Sequence, residues 1–262
     1  MKQIIKRGSF LTLMFMLLGC LSLYAADNDL TTKQITIKLE RAGTLPDRIA
    51  SSRKYKITNL KIIGEINGTD LKMIREMAGS NSTGNSTDGK LSVLDLSEAK
   101  IVEGGDCYYY DYNYYDYYYT SNDVIGSYAF YGCSGLTSLT LPAGITSIGS
   151  YAFYGCSGLT SIYVYAEKIP KIGRCVFEGF DAKKCTLYVP MGTCDDYWIS
   201  DFGDYFENIV EFDVTGIDKT TTSTDVEEVA RYSVNGQRLS APTKGLNIVK
   251  YSDGSVKKVT VR

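Results

Sequence analysis

Six carboxylates between residues 195 and 211 are the side chains of this sequence best spaced for acid–base chemistry. They are Asp195, Asp196, Asp201, Asp204, Glu207 and Glu211. Two carboxylates that flank a sugar can hydrolyse a glycosidic bond, but a solvated surface explains the same residues more simply. The sequence contains no histidine, which is the commonest general base and the usual partner of a nucleophilic serine or cysteine. We therefore predict no catalytic residue, no enzymatic activity and no cofactor.

Thiols are the second group that could do chemistry. Besides Cys20, the cysteines are Cys107, Cys133, Cys156, Cys175, Cys185 and Cys194. An even number in an exported chain favours disulfides, and a bridge among the last three stays open. Cys133 and Cys156 instead occupy the same position of a repeat, so we expect both to be small buried apolar residues. No C-x-x-C pair occurs, and we predict no metal site.

Tyrosine is the third group, because residues 108–119 read YYYDYNYYDYYY. No hydrophobic period of 2 or 3.6 is visible, which predicts a loop inserted over 107–122. Tyrosine offers a large amphipathic contact area at little rotamer cost, so this insertion is a candidate recognition element. The alternative is a low-complexity insertion without a partner. The candidate ligand-binding residues of the insertion are Tyr109, Tyr112, Tyr115 and Tyr118.

An internal repeat must position these side chains. The segment IGSYAFYGCSGLTS stands at 125–138 and again at 148–161. The first copy leads into Leu-x-x-Leu-x-Leu (Leu136, Leu139, Leu141), and the second has the same spacing with Leu159, Ile162 and Val164. A period in the twenties with this spacing is typical of a leucine-rich repeat. We predict an α/β-type repeat solenoid: right-handed, with short parallel strands on the concave side, an irregular convex side and a small C-terminal β module.

Residues between the core positions of the predicted strands should face outward. One such row is Lys61, Asp95, Thr140, Tyr163 and Tyr188, and the next is Ser97, Pro142, Tyr165 and Pro190. Exposed aromatic side chains with polar neighbours are typical of a contact surface. The alternative is the ordinary strand propensity of tyrosine. Three further candidate ligand-binding residues follow: Tyr163, Tyr165 and Tyr188.

The run I-G-x-x-A-F-x-G-C-x-x-L-x-x-L-x-L-P at 125–142 resembles the BspA-like leucine-rich repeat family of bacterial surface proteins. In that family a cysteine at the position of Cys133 and Cys156 replaces the asparagine of other leucine-rich repeats. The resemblance covers roughly residues 57–212. It implies an extracellular binding or adhesion scaffold with no catalytic residues to transfer.

The N-terminus has the pattern of a signal peptide, which we assign to 1–25. Lys2, Lys6 and Arg7 precede an apolar run, and a small-residue cleavage site ends at Ala25. Alternatively, Leu-Leu-Gly before Cys20 is similar to a lipoprotein box, which would place a lipid on that cysteine. In both cases we expect an extracellular or outer-surface location. Contact with a membrane would come only through a lipid anchor or attachment to the cell surface.

The remaining boundaries follow from changes in composition. We predict an N-terminal cap at 26–56, a repeat domain at 57–212 with an end cap at 191–212 sealed by Trp198, and a linker at 213–228. Residues 229–262 should form the β module, because strand alternation surrounds Asn235-Gly236 and Asp253-Gly254. This module resembles the C-terminal sorting domain of type IX secretion. The structural alternative is a plain β cap.

The formal net charge of −2 argues against nucleic acid, which requires a basic stripe. We predict a secreted or cell-surface protein that binds or adheres to an extracellular protein or glycan. The alternative is a structural surface component that associates with copies of itself and has no separate ligand.

Overall fold

The computed structural model of the protein describes residues 30–166, 168–214, 228–233, 237–251 and 256–261. The chain divides between Val214 and Thr215 into two compact units, which are described separately. The predicted signal peptide with Cys20, most of the predicted linker and both predicted turns of the β module lie outside the described residues.

The first unit starts with a strand–helix–strand–helix segment. Its elements are β1 (Ile35–Leu39), α1 (Leu45–Arg48), β2 (Asn59–Ile66) and α2 (Gly68–Met77). Strand β1 and helix α1 lie within the predicted N-terminal cap at 26–56. Helix α2 begins at Gly68, because Asn67 is its N-cap and Asp70 completes a capping box as the third helical residue.

Most of the remaining secondary-structure elements of this unit are short strands. They are β3 (Val93–Asp95), β4 (Ala99–Ile101), β5 (Gly104–Asp111), β6 (Asp116–Thr120), β7 (Val124–Ile125), β8 (Ser138–Thr140), β9 (Ser147–Ile148), β10 (Ser161–Tyr163), β11 (Lys171–Ile172), β12 (Thr186–Pro190) and β13 (Asn208–Phe212). A 3₁₀ turn (Ala182–Lys184) precedes β12, and helix α3 (Cys194–Ile199) precedes β13. Helices are therefore few, and strands dominate the described part of the unit.

Two parallel sheets run across the repeats. The larger has the order β1-β2-β3-β8-β10-β12-β13, with β4 also paired to β2, and the smaller has the order β11-β9-β7. The larger sheet is open. Its inward residues pair in register and are fully buried: Leu60, Leu94, Leu139, Ile162 and Leu187. Burying each of these side chains contributes roughly 1.5–3 kcal/mol, which a single repeat could not provide alone.

Aromatic rings and thiols fill the space between the sheets. Phe130 stacks on Phe153 with 5.5 Å between ring centroids, and Phe153 stacks on Phe177 at 5.7 Å. Cys133 and Cys156 are fully buried, as predicted, and the Cys156 thiol donates a hydrogen bond to Phe130 O (3.0 Å). Burial raises the pKa of the Cys133 thiol to about 11. All six cysteines among the described residues are free thiols, so the disulfide alternative is wrong for this structure.

The C-terminal end of the repeats is closed by α3 and the turn after it. Tyr197, Phe202 and Phe206 are buried there, and Phe206 meets Phe177 edge-on at 4.8 Å. Trp198 is 43% exposed, so the prediction that it seals this end is wrong. The neighbouring Tyr197 fills the core because the helix turns that side chain inward instead.

The second unit is a four-stranded antiparallel sheet. Its strands are β14 (Glu228–Ser233), β15 (Arg238–Leu239), β16 (Gly245–Tyr251) and β17 (Val256–Val261), in the order β15-β14-β16-β17. The two strand pairs agree with the predicted β module. Arg231 lies inside this sheet, where its guanidinium meets the Glu228 carboxylate at 2.6 Å and donates to Asn247 Oδ1.

Candidate functional site

The tyrosine insertion is a β-hairpin, so the prediction of a loop over 107–122 is wrong. Strands β5 and β6 pair antiparallel, with Tyr109 opposite Tyr118, Tyr110 opposite Tyr117 and Asp111 opposite Asp116. Alternation therefore exists, but it is hidden from hydropathy because tyrosine occupies both faces.

Residues 112–115 form the turn of the hairpin. The Asp111 carboxylate accepts a hydrogen bond from the Asn113 N–H (2.8 Å), as in an Asx turn. Tyr115 has left-handed backbone (φ 58°). Five tyrosines at and beside the turn are more than half exposed, and we call them the tip tyrosines: Tyr112, Tyr114, Tyr115, Tyr117 and Tyr119.

The base of the hairpin is fixed to the repeats by a buried tyrosine pair. Tyr108 is 1% exposed and donates its hydroxyl hydrogen bond to Ser127 O (2.8 Å). Its hydroxyl lies against Gly126, where a β-carbon would leave no room. Tyr109 is 7% exposed, so this candidate ligand-binding residue belongs to the core and offers little surface to a partner.

A buried arginine completes the attachment, and our sequence analysis missed it. Arg75 of α2 is 0% exposed. Its guanidinium donates to Tyr128 O (2.6 Å), Ala129 O (3.0 Å) and Tyr131 O (3.1 Å) in the first clear repeat. Its guanidinium carbon lies 5.1 Å from the Tyr109 ring centroid, close enough for a cation–π contact. A signal existed: Arg75 stands four residues after buried Leu71, inside the apolar stripe of the helix.

From the hairpin, tyrosine rings continue into the repeats as two columns. In the first, Tyr128 stacks on Tyr109 (4.7 Å, 7° between planes) and on Tyr151 (5.1 Å, 14°). In the second, Tyr131 stacks on Tyr154 (5.4 Å, 8°). The two columns exist because SYAFYG recurs one repeat apart. Both Tyr128 and Tyr151 adopt left-handed backbone (φ 60° and 59°), which costs about 1 kcal/mol for a non-glycine residue.

Tyr118 also joins the first column. It is half-buried, and its ring centroid lies 4.9 Å from that of Tyr128 and 6.0 Å from that of Tyr109. Of the four candidate residues of the insertion, Tyr112 and Tyr115 are therefore exposed, Tyr118 is half-buried and Tyr109 is buried.

The second predicted group lies on the outward row of the larger sheet. Register confirms that Lys61, Asp95, Thr140, Tyr163 and Tyr188 form one row. The Lys61 ammonium lies 3.5 Å from the Asp95 carboxylate and 2.6 Å from the carboxylate of Glu98, which follows strand β3. One end of the row is therefore ionic and the other aromatic.

The aromatic end is a cluster of half-buried rings. Tyr163 and Tyr188 stack at 4.3 Å with 6° between planes. Phe212 meets Tyr163 and Tyr165 edge-on, at 5.7 and 4.9 Å. Burial is the main cause that raises the pKa of the Tyr165 phenol to about 12, with Asp95 and Tyr163 contributing. We call Tyr163, Tyr165, Tyr188 and Phe212 the sheet-face cluster. The structure brings the three predicted tyrosines together, but their rings largely cover one another.

Residues 108–233 match the family model described as BspA type leucine rich repeat region, in six copies. This stretch is a BspA-type leucine-rich repeat region. The match starts inside the hairpin, later than residue 57, and runs beyond 212. Such regions are in general surface or secreted protein-interaction modules and typically non-enzymatic. A comparison with curated proteins finds no match.

Two structural observations accompany the family match. Across the described ranges, no helix is long and apolar enough to cross a bilayer. Within the same ranges, no group of three or more His, Cys, Asp and Glu side chains could hold a metal ion. The arrangement of the BspA-type region instead offers rings, hydroxyls and a few carboxylates, which suit non-covalent recognition.

Proposed function

We propose that this chain is a secreted or cell-surface protein whose BspA-type repeats, wound as a right-handed solenoid, support adhesion to an extracellular protein. The tip tyrosines make the contact. The observation that carries this proposal is the contrast within the hairpin: its base is buried and anchored by Arg75 and Tyr108, while its tip exposes five tyrosines.

A rigid base and an aromatic tip are what a binding element requires. Tyrosine is enriched among the residues that dominate interface energies. Because the hairpin strands are paired and stacked on the repeats, less backbone entropy is lost on binding than in a free loop. The sheet-face cluster is a weaker candidate, since its rings are half-buried and face each other.

The test is a binding screen of the chain against extracellular matrix proteins and a glycan array. The tip variant replaces four of the tip tyrosines with serine: Tyr112, Tyr115, Tyr117 and Tyr119. The matched control replaces three tyrosines of the sheet-face cluster with serine: Tyr163, Tyr165 and Tyr188. We expect the tip variant to lose about tenfold or more in affinity for a protein ligand, and the control to change by less than about threefold.

Two other outcomes would redirect the proposal. Loss of binding in the control alone would move the contact to the sheet face, and binding to glycans alone would change the class of ligand. The second candidate function is self-association, in which the exposed rings of the tip tyrosines contact those of another copy. Sedimentation equilibrium showing oligomers that the tip variant abolishes would support this structural role.

A further inference from the structure

A groove of 380 Å³ lies where the hairpin meets the two tyrosine columns. This is within the range of roughly 300–1,000 Å³ that is usual for small-ligand sites. Six tyrosines line it, together with Asp111, Asn113, Cys175 and Glu178. We call it the tyrosine groove. The functions predicted for the insertion from its sequence do not involve this groove.

The charge of the tyrosine groove is negative. Two of its lining residues are acids, Asp111 and Glu178, and none is basic. Neither acid forms an ion pair with a described residue. Burial is the main cause that raises the pKa of the Tyr109 phenol to about 12 and keeps the pKa of Tyr128 above its usual range. The phenols of Tyr109 and Tyr128 are therefore neutral at physiological pH.

The second column ends at Tyr154, because the third repeat has no tyrosine at the equivalent position. The third repeat places Glu178 where the earlier repeats have Tyr131 and Tyr154, and the Gly155 N–H donates to Glu178 O (2.8 Å). Tyr154 stacks on Tyr131 and lines the groove together with Glu178. A cation over the Tyr154 ring would therefore gain both a cation–π contact and a charge-assisted hydrogen bond.

A cation–π contact already exists within the protein at Tyr109, one of the tyrosines that line the groove. The Arg75 guanidinium lies over Tyr109 and donates to carbonyl oxygens of the first clear repeat. It is fully buried, so it does not occupy the tyrosine groove. Its single positive charge is smaller than the two negative charges of Asp111 and Glu178.

We propose that the tyrosine groove receives an arginine side chain from an extended segment of the protein partner, stacked on Tyr154 and paired with Glu178. Arginine fits better than lysine because its planar guanidinium can stack on a ring and form two parallel hydrogen bonds with one carboxylate. This inference deepens the proposed function and rests on it for the identity of the partner. The groove chemistry itself does not depend on the tip tyrosines used in the tip variant.

The test is nuclear magnetic resonance titration of the full chain with three end-blocked tripeptides, Gly-Arg-Gly, Gly-Lys-Gly and Gly-Glu-Gly. We expect the arginine peptide to shift groove resonances with millimolar affinity, the lysine peptide to bind more weakly and the glutamate peptide not to bind. Glu178→Gln should weaken arginine binding about fivefold or more. The matched control Glu103→Gln removes an exposed carboxylate outside the groove and should change it by less than about twofold.

Ring variants separate stacking from folding. Tyr154→Phe keeps the ring face and should bind the arginine peptide within about twofold of the original chain, whereas Tyr154→Leu should lose about fivefold. Equal shifts with the glutamate peptide, or no groove shifts up to about 20 mM arginine peptide, would overturn the groove proposal. Either result leaves the tip proposal standing. Conversely, a tip variant that keeps full affinity for a protein ligand would overturn the proposed function without affecting peptide binding in the groove.

Discussion

The tyrosine columns and the sheet-face cluster use the same ring contact in different settings. Tyr109 and Tyr128 stack at 4.7 Å and 7°, and Tyr163 and Tyr188 stack at 4.3 Å and 6°. The columns rest on a buried guanidinium and border a groove with two carboxylates. The sheet-face cluster instead ends at Phe212 and is separated from the ion pair of Lys61 by Thr140.

Stacking geometry is therefore alike in the two regions, which differ in what surrounds the rings. The columns lie beside an exposed hairpin tip and border a groove lined by two carboxylates, Asp111 and Glu178. Rings in the sheet-face cluster pack mainly against one another, which is ordinary for neighbouring side chains on one face of a sheet.

The largest expected effect comes from removing the cation beneath the columns. Arg75→Met should destabilise the first unit by about 3–5 kcal/mol, because several buried acceptors would lose their donor and the hairpin would lose its anchor. The measurement is the free energy of unfolding from urea denaturation. No substitution in the sheet-face cluster should cost as much, since no buried charge holds that cluster.

Arg75→Lys is the matched control, because it keeps the charge but cannot reach all the acceptors that the guanidinium reaches. We expect it to recover part of the lost stability. A loss below about 1 kcal/mol for Arg75→Met would show that the carbonyl oxygens of Tyr128, Ala129 and Tyr131 find other hydrogen-bond donors without this side chain. The two tyrosine regions would then differ only in exposure.

A double-mutant cycle would test whether the ring contacts themselves differ. Tyr109→Leu should cost about 2–3 kcal/mol because this ring is buried and contacts Arg75, whereas Tyr163→Leu should cost about 1 kcal/mol at a half-buried position. The coupling energies of Tyr109 with Tyr128 and of Tyr163 with Tyr188 should nevertheless be similar, about 0.5–1.5 kcal/mol. Couplings that differ by more than about 1 kcal/mol would mean that stacking, and not its surroundings, separates the regions.

The repeat period was sufficient to predict the register of the larger sheet. Leu139 and Ile162 are one repeat apart and pair directly, and the same spacing places Tyr163 beside Thr140. Apolar alternation with a fixed period leaves one arrangement that buries every leucine. Burial of Cys133 and Cys156 followed from the same argument.

The hairpin could not be predicted by that reasoning. Pattern analysis requires two residue classes, and residues 108–119 place tyrosine on both faces, so Tyr109 and Tyr110 look alike in sequence yet lie on opposite sides. The tyrosine groove was missed for a related reason. Four of its tyrosines belong to the SYAFYG segments and were interpreted only as parts of the repeat. The backbone of two of them, Tyr128 and Tyr131, is held by Arg75, which is distant in sequence.

Raising the pH should cause the smallest change in the unfolding free energy, and it compares the two regions without disrupting their packing. Burial is the main cause that raises the pKa of Tyr165 and of Tyr109 to about 12 from 10.0. In the unfolded chain these phenols ionise near pH 10, so between pH 10 and 12 the folded state binds more protons. Stability should therefore be unaffected by this term below pH 10 and should fall as pH rises through that window.

Tyr165→Phe and Tyr109→Phe each remove one titrating phenol and keep the ring, so each should flatten the decline of the unfolding free energy between pH 10 and 12. The sheet-face cluster should keep only a smaller pH dependence after Tyr165→Phe, carried by Tyr163, whose pKa is also raised mainly by burial. The columns should keep theirs after Tyr109→Phe, because the buried Tyr108 and the half-buried Tyr128 also have raised pKa values. Tyrosinate absorbance followed beside urea denaturation measures both. If both variants flattened the decline of the unfolding free energy equally, Tyr108 and Tyr128 would not contribute to the pH dependence of the columns, and this prediction would be wrong.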